Sequence, residues 1–277
     1  MRRTPFRDPG ARGIGDNTPH AYRNPRQRPL LVLLHGWALH GGVFAPLVQR
    51  LSDRYTLHLV DLPGHGFSRD SEVPLTLDAT VTAILARTPP AAWLTWSLGG
   101  LFALHAAASS PQVRGLAMIA ATPRFVRDGD WPHGVEGRVF AQFGDDLRND
   151  YAGTLERFLA LDTMGSEHAR SELRTLKHDL YARGEPAPEA LQQGLHLLEQ
   201  SDLRATLPAL SVPTLWLAGR RDLLVPTKAM QASAAVTPQA TFVEIAGGGH
   251  APFLGHADRV AADVDRFMQA LPLGATA

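Results

Sequence analysis

Three residues have the types and settings that acyl-transfer chemistry requires: Ser97 in LTWSLGG, Asp222 in WLAGRRDLLVP and His250 in GGGHAPF. A serine hydroxyl attacks a carbonyl only when a base removes its proton, and the base needs a carboxylate to hold its tautomer. Ser97 lies where an apolar run meets glycines, the layout of a strand turning sharply into a helix at a nucleophile. That turn is usually written G-x-S-x-G, and here Thr95 stands in the first glycine position. The chain is still extended there, so a β-branched residue fits if the neighbouring backbone leaves it space. Of the 12 histidines, His250 is singled out by its three-glycine loop just past the last apolar run. Asp222 also follows an apolar run, ahead of a helix start at Pro226. Each residue alone has an ordinary alternative: a helix-entry serine, a turn aspartate, a surface-loop histidine. In the order Ser, Asp, His, each at the C-terminal end of a strand, they reach one rim of an open α/β sheet.

The developing oxyanion needs donors as well. The backbone N–H of Leu98 at the helix start is one candidate, and that of Trp37, in LLHGWALHGG, is the other. The Trp37 indole has a packing role open to it in parallel. His35 precedes the oxyanion residue and reads as structural. Asp61 and His65, in DLPGHGFS, read as scaffold of a tight turn.

The elements that position these residues follow from hydrophobic patterning. LLVLLHG, TLHLVDLPG, AAWLTWS, VRGLAMIAAT, PTLWLAG and ATFVEIAG are short apolar runs bounded by turn residues. That is the pattern of strands buried on both faces of a parallel sheet. Helical segments over about 76–87, 98–109, 227–235 and 256–270 separate most of them, which predicts an α/β fold with a doubly wound sheet. The alternation breaks between about 124 and 210. There DYAGTLERFLALDTM, SEHARSELRTLKHDLYA and PEALQQGLHLLEQ read as three helices, with Ser166 a candidate N-cap and Pro188 a first-turn residue. The expected division is a core over 29–123 and 211–277 with a helical cap over 124–210.

Composition narrows the function classes. In 277 residues, Lys plus Arg and Asp plus Glu both number 27, so no global field attracts nucleic acid, and none is expected as a partner. The absence of cysteine excludes thiolate metal sites and cysteine nucleophiles. No stretch is apolar enough to span a membrane, and no apolar run follows Arg2 and Arg3 before Leu30. A cytoplasmic monomer is the expectation. Residues 1–28, rich in Arg, Pro and Gly, read as a disordered extension.

HGW, DLPGHGFS, WSLGG, RRDLLVP and GGGHAPF together resemble the α/β-hydrolase superfamily. VDLPGHG, TWSLGGL, ERFLALDTMG and HAPFLGH resemble, within it, the pimeloyl-acyl-carrier-protein methyl ester esterases of biotin synthesis. The resemblance covers about 30 to 270. It implies an α/β-hydrolase fold, with a mostly parallel sheet and an inserted helical cap. It also implies a serine carboxylesterase in which Ser97 attacks, His250 shuttles the proton, Asp222 orients it and Trp37 and Leu98 bind the oxyanion. Phe158, Leu159 and Leu161 would line the acyl channel. Asp162 departs from the amide expected at its position. No metal or organic cofactor is implied, and the implied partner is an acidic acyl-carrier protein. Arg170, Arg174 and Lys177 recur at i, i+4 and i+7 on one helical face, and Arg157 could join them to dock such a partner. A solvated helix face is the plain alternative, with Glu172 and Asp179 nearby. A general short-chain esterase, a carbon–carbon bond hydrolase of the same fold and a catalytically silent binding module are the competing readings.

Overall fold

The structure is a computed structural model that describes residues 28–271, together with the backbone of Ala11–Gly13. Its sheet has seven strands: β1 (Ala11–Gly13), β2 (Leu30–Leu34), β3 (Thr56–Asp61), β4 (Ala91–Trp96), β5 (Val113–Ile119), β6 (Thr214–Gly219) and β7 (Ala240–Ile245). Their order is β1-β3-β2-β4-β5-β6-β7, and every pairing is parallel. The six sequence-predicted strands are all present. β4 and β6 are buried along their whole length, as apolar runs without alternation require, whereas β7, at the sheet edge, has only Ile245 buried, against the expectation of burial on both faces.

The chain order fixes the switch point. β2 lies between β3 and β4, so the connections leaving β2 and β4 diverge to either side of the sheet, and a crevice opens at the C-terminal strand ends. Helices α1 (Ala45–Leu51), α2 (Leu77–Leu85) and α3 (Gly99–Ser109) connect the first strands. A block of four helices then intervenes between β5 and β6: α4 (Arg138–Asn149), α5 (Tyr151–Thr163), α6 (Ala169–Ala182) and α7 (Pro188–Gln200). α8 (Thr227–Val236), α9 (Pro252–Gly255) and α10 (Ala257–Ala270) complete the chain.

Three expectations are corrected. The intervening block has a fourth helix, α4, which the sequence reading missed. Its Val139, Phe140, Phe143 and Leu147 lie on one helical stripe, and Phe140 and Leu147 are buried. Ser166 does not cap α6. Its hydroxyl accepts from His168 N at 3.1 Å and closes the turn ahead of the helix, whose N-cap is His168. Pro188 does begin α7.

The third correction concerns the N-terminal stretch. Within the expected disordered extension, Ala11–Gly13 pairs with Leu59–Asp61. The edge of β3 offers main-chain groups that any backbone can satisfy, so this pairing needs no apolar side chains. Arg28 also donates to the Ser52 carbonyl at 2.6 Å. Residues 1–10 and 14–27 of that expectation lie outside the described residues. Among the described residues, no helix is long and apolar enough to cross a membrane.

Candidate active site

β4 ends at Trp96, and α3 begins at Gly99; Ser97 occupies the turn with φ of 52°. A non-glycine residue in the left-handed region costs about 1 kcal/mol or more and persists only where its surroundings enforce it. Here Ser97 N donates to Ile119 O at 3.0 Å, and Gly100 N to Ser97 O at 2.9 Å. The turn needs its flanking glycine. A Cβ on Gly99 would stand 2.6 Å from Leu34 O and 2.8 Å from His35 O, both backbone atoms. Thr95, by contrast, is accommodated. It pairs with Leu34 and Met118 inside the sheet and is fully buried, although its hydroxyl has no hydrogen-bond partner.

The structure brings the three sequence-predicted side chains together. Ser97 Oγ lies 2.8 Å from His250 Nε2, and His250 Nδ1 lies 2.8 Å from Asp222 Oδ2. In the tautomer this geometry selects, Nδ1–H donates to the carboxylate and Nε2 accepts from the hydroxyl. Asp222 is itself fixed, because its Oδ1 accepts from Leu224 N at 2.8 Å and Val225 N at 2.9 Å. Trp96 Nε1 donates to the His250 carbonyl at 2.8 Å, a positioning contact that the sequence reading missed. Burial alone would lower the pKa of His250. The charge and hydrogen bond of Asp222, joined by the charge of Asp162, outweigh that burial and raise it.

Trp37 and Leu98 sit beside this group. A Cβ on Gly36 would lie 3.1 Å from Ser97 Cβ, so the loop after β2 presses against the serine. Neither the Trp37 nor the Leu98 N–H donates to a backbone acceptor among the described residues. Both amides therefore remain open to a developing oxyanion. The Trp37 indole donates to Leu191 O on α7 at 2.8 Å, and its ring packs against Phe158 of α5 with centroids 4.4 Å apart and planes tilted by 59°. It packs and donates at once, and it joins the sheet to the helical block.

His35 is structural. Its Nδ1–H donates to Gly36 O at 2.7 Å, its Nε2 accepts from Leu62 N at 2.9 Å, and burial holds its pKa well below the ordinary value. Asp61 is a scaffold residue of wider reach than expected. It accepts from Gly41 N at 2.7 Å and Phe67 N at 2.8 Å, and it pairs with Arg183 at the end of α6 at 3.0 Å. One buried carboxylate thus ties two sheet loops to the helical block.

Of the residues implied to line an acyl channel, Phe158 packs against Trp37. Leu159 is buried on the same helix, and Leu161 is half-buried beside it. Asp162 is fully buried, and neither of its carboxylate oxygens has a hydrogen-bond partner. Its Oδ1 lies 4.0 Å from His250 Nε2. Burial, opposed by His250 and reinforced by Asp222, pushes its pKa up to about 7. At neutral pH this group therefore divides between a neutral acid that can donate and a carboxylate that accepts. The basic residues are split in the same way. Arg170 and Arg174 are exposed on α6, whereas Arg157 pairs with Asp150 at 3.0 Å and Lys177 with Glu156 at 2.7 Å.

A hydroxyl, imidazole and carboxylate in line, on a left-handed turn at the end of a central strand, constitute a constellation for nucleophilic acyl transfer. Residues 29–257 match the family model described as the alpha/beta hydrolase fold. The chain belongs to the α/β hydrolase fold family. A solved bromoperoxidase from Bacillus anthracis, 19% identical, shares the fold with a TM-score of 0.79 over 87% of this chain and 92% of that one. Two curated members of the family are far closer in sequence. The pimeloyl-[acyl-carrier protein] methyl ester esterase of Xanthomonas axonopodis pv. citri is 69% identical over 244 residues, 88% of this chain and 96% of that protein. The protein of the same name from Stenotrophomonas maltophilia is 67% identical over 243 residues, 88% and 94% of the respective chains.

Proposed function

We propose that this chain is a serine carboxylesterase that hydrolyses the methyl ester of pimeloyl-acyl-carrier protein to pimeloyl-acyl-carrier protein and methanol in biotin synthesis. The observation that carries the chemistry is the unbroken contact from Ser97 Oγ through His250 to Asp222, with both links at 2.8 Å. The substrate assignment is supported by relatives at 69% identity that match nearly their whole length.

In this reading Ser97 Oγ attacks the ester carbonyl as its proton passes to His250 Nε2. The N–H groups of Trp37 and Leu98 stabilise the oxyanion, and Asp222 stabilises the imidazolium through Nδ1–H. The Nε2 proton then leaves with methanol, and the pimeloyl group remains on Ser97. Water that gives a proton to the same nitrogen attacks the acyl-enzyme and releases the acid. These steps need no metal or organic cofactor. Asp162 stands on the Nε2 side of the imidazole, where its neutral form offers a donor to the ester or to the attacking water.

Residues 29–123 and 211–271 form the catalytic core, and 124–210 form the cap. Ser97 is 5% exposed and His250 1%, so the acyl chain reaches them beneath the cap. A cavity of about 400 Å³ lined by Arg138, Val139, Gln142, Phe143, Asp146 and Arg157 supports an entry between α4 and α5. From it the aromatic row Phe143, Phe158, Trp37 runs inward with ring spacings of 5.4 and 4.4 Å. Leu159 and Leu161 complete the apolar lining. Arg170 and Arg174 receive the acidic carrier, and Arg157 and Lys177 exchange their intramolecular carboxylates for it. The enzyme acts as a cytoplasmic monomer.

The test compares the methyl ester on its carrier protein with free short esters. The reading requires higher kcat/KM on the carrier, together with loss of turnover and of fluorophosphonate labelling in Ser97→Ala. Labelling that survives in Ser97→Ala rejects the nucleophile. Equal kcat/KM on carrier and free ester rejects the substrate and leaves the nucleophile standing.

A further inference from the structure

A second cluster of potential ligands lies away from the triad, where the cap meets the loop that carries His250. Glu167 and His168 belong to the turn between α5 and α6, and His256 joins α9 to α10. Glu167 Oε1 is 3.5 Å from His256 Nε2 and 3.7 Å from His168 Nε2. One ligand atom from each of the three residues lies within 4.8 Å of the other two. The two imidazole rings lie 5.1 Å apart, tilted by 56°. Four ligands around zinc at 2.0–2.1 Å stand about 3.3 Å apart, so two edges of such a site are nearly formed. The third closes by rotation of the half-exposed His168.

The charge balance points the same way independently. Glu172, 2% exposed, lies directly behind the cluster. A Cβ on Gly255 would sit 2.5 Å from Glu172 Oε1 and 2.6 Å from His168 Cδ2. The Ser166 hydroxyl and the Gly255 N–H are the only donors that approach the Glu172 carboxylate, and His256 Nε2 has no hydrogen-bond partner among the described residues. Among the described residues, neither Glu167 nor Glu172 pairs with a lysine or arginine, and the partners of Glu167 are the two imidazoles. A buried carboxylate beside a second one, with no fixed cation, is costly unless it takes up a proton or a positive charge is supplied.

The geometry points to a divalent transition-metal site at Glu167, His168 and His256, of the class that zinc fills, tying the cap to the catalytic-histidine loop. Two imidazoles and one carboxylate form a nitrogen-rich donor set that suits zinc and disfavours calcium and magnesium, which take oxygen ligands. The exposed side of the cluster leaves the fourth position to water. Glu167 N donates to Gly247 O at 3.0 Å, and a Cβ on Gly247 would strike the Glu167 carboxylate at 2.3 Å. The site is thus built against the glycine loop that ends at His250. A cation held there bridges cap and core with no contact to Ser97, and it is not required for the ester chemistry.

Calorimetric titration of the full chain with zinc chloride tests this, alongside cobalt substitution read by visible absorption. One zinc per chain is expected, together with a tetrahedral cobalt spectrum and a Tm that rises with free zinc. His256→Ala and the double variant His168→Ala/His256→Ala should each weaken binding at least tenfold and abolish the cobalt bands, as expected when ligands are removed. His196→Ala, an exposed histidine on α7, should leave both unchanged. Absence of stoichiometric binding overturns the proposal. So does an affinity that survives the double variant within twofold, because the metal then sits at other histidines.

Discussion

Asp162 and His250 face each other across 4.0 Å without a hydrogen bond between them, in a site where the only other buried carboxylate is already committed. Asp222 spends both oxygens, one on His250 Nδ1 and one on two backbone amides. Asp162 spends neither. The two acids thus differ in environment although they flank one imidazole. Asp222 is held in place by its donors, and Asp162 is kept near neutrality by burial. The charges of both acids raise the pKa of His250, and His250 in turn opposes the rise at Asp162, so the titrations of Asp162 and His250 are linked.

Asp162→Asn should stabilise the protein, and more so at alkaline pH. The folded-state pKa of Asp162 is raised, so between about 4 and about 7 the folded chain binds a proton that the unfolded chain has lost. Stability therefore falls as pH rises through that window and stays low above it. The gain from the amide should exceed that at pH 5 by about 2 kcal/mol when measured at pH 8, as a shift of this size allows. The same substitution removes a charge that raises the pKa of His250, so the acid limb of the kcat/KM profile should move to lower pH. Urea unfolding at both pH values and a pH–rate profile provide the measurements. An equal gain at pH 5 and pH 8 counts against a raised Asp162.

Asp222→Asn should lower kcat by about four orders of magnitude with little effect on KM. The amides of Leu224 and Val225 both donate to Oδ1, so the oxygen of an asparagine is held there. Its NH₂ then faces His250 Nδ1, forces that nitrogen to accept, and leaves the proton on Nε2, where it cannot take one from Ser97. Ester turnover under saturating substrate is the readout. A loss below tenfold would mean that another carboxylate orients the histidine, and Asp162 would be the first to examine.

Much of this site was legible because the chemistry sits at strand ends, and buried parallel strands have the clearest sequence pattern. Ser97 and Asp222 follow strands buried along their whole length and His250 follows the half-exposed β7, and parallel pairing brings those strands' ends to one rim. Contacts that arise only when distant segments pack together were not legible. Trp96 Nε1 reaches the His250 carbonyl 154 residues away, and Arg183 reaches Asp61 across 122. Nothing local marks either partner. Asp162 did carry a signal: it shares a helical stripe with Phe158, Leu159 and Thr163, all buried, and a charge on an apolar stripe is the exception that needs a cause. Thr95 shows the reverse. It departs from the motif, yet the sheet has the space for its side chain that an extended chain there required, and the glycine the turn cannot lose is Gly99.

Gly99→Ala should therefore cost both stability and activity. The added methyl would meet two carbonyl oxygens of the β2 end, neither of which can rotate away. Overpacking against backbone costs about 1–3 kcal/mol, and relief requires the Leu34–His35 segment to move off α3. That segment leads directly to Trp37, so the oxyanion donors would separate. A fall in urea midpoint together with at least a tenfold loss of kcat is expected. An unchanged midpoint would show that the turn has more space than the spacing implies.

Charge reversal on α6 separates docking from chemistry. Arg170 and Arg174 are exposed and lie on the outer face of the cap, away from the triad. Arg170→Glu/Arg174→Glu should leave kcat/KM for a free short ester within about twofold, because surface substitutions rarely disturb a distant site. On the carrier-linked ester, kcat/KM should fall by tenfold or more through slower encounter, as loss of electrostatic steering predicts. The wild-type rate on the carrier should also decline with added salt, and that dependence should flatten in the double variant, since screening acts only on the attraction that has been removed. If both substrates decline in parallel, the helix face serves the fold rather than the partner. If neither declines, the carrier is received elsewhere, and the arginines beside the α4–α5 cavity, Arg138 and Arg157, become the residues to reverse.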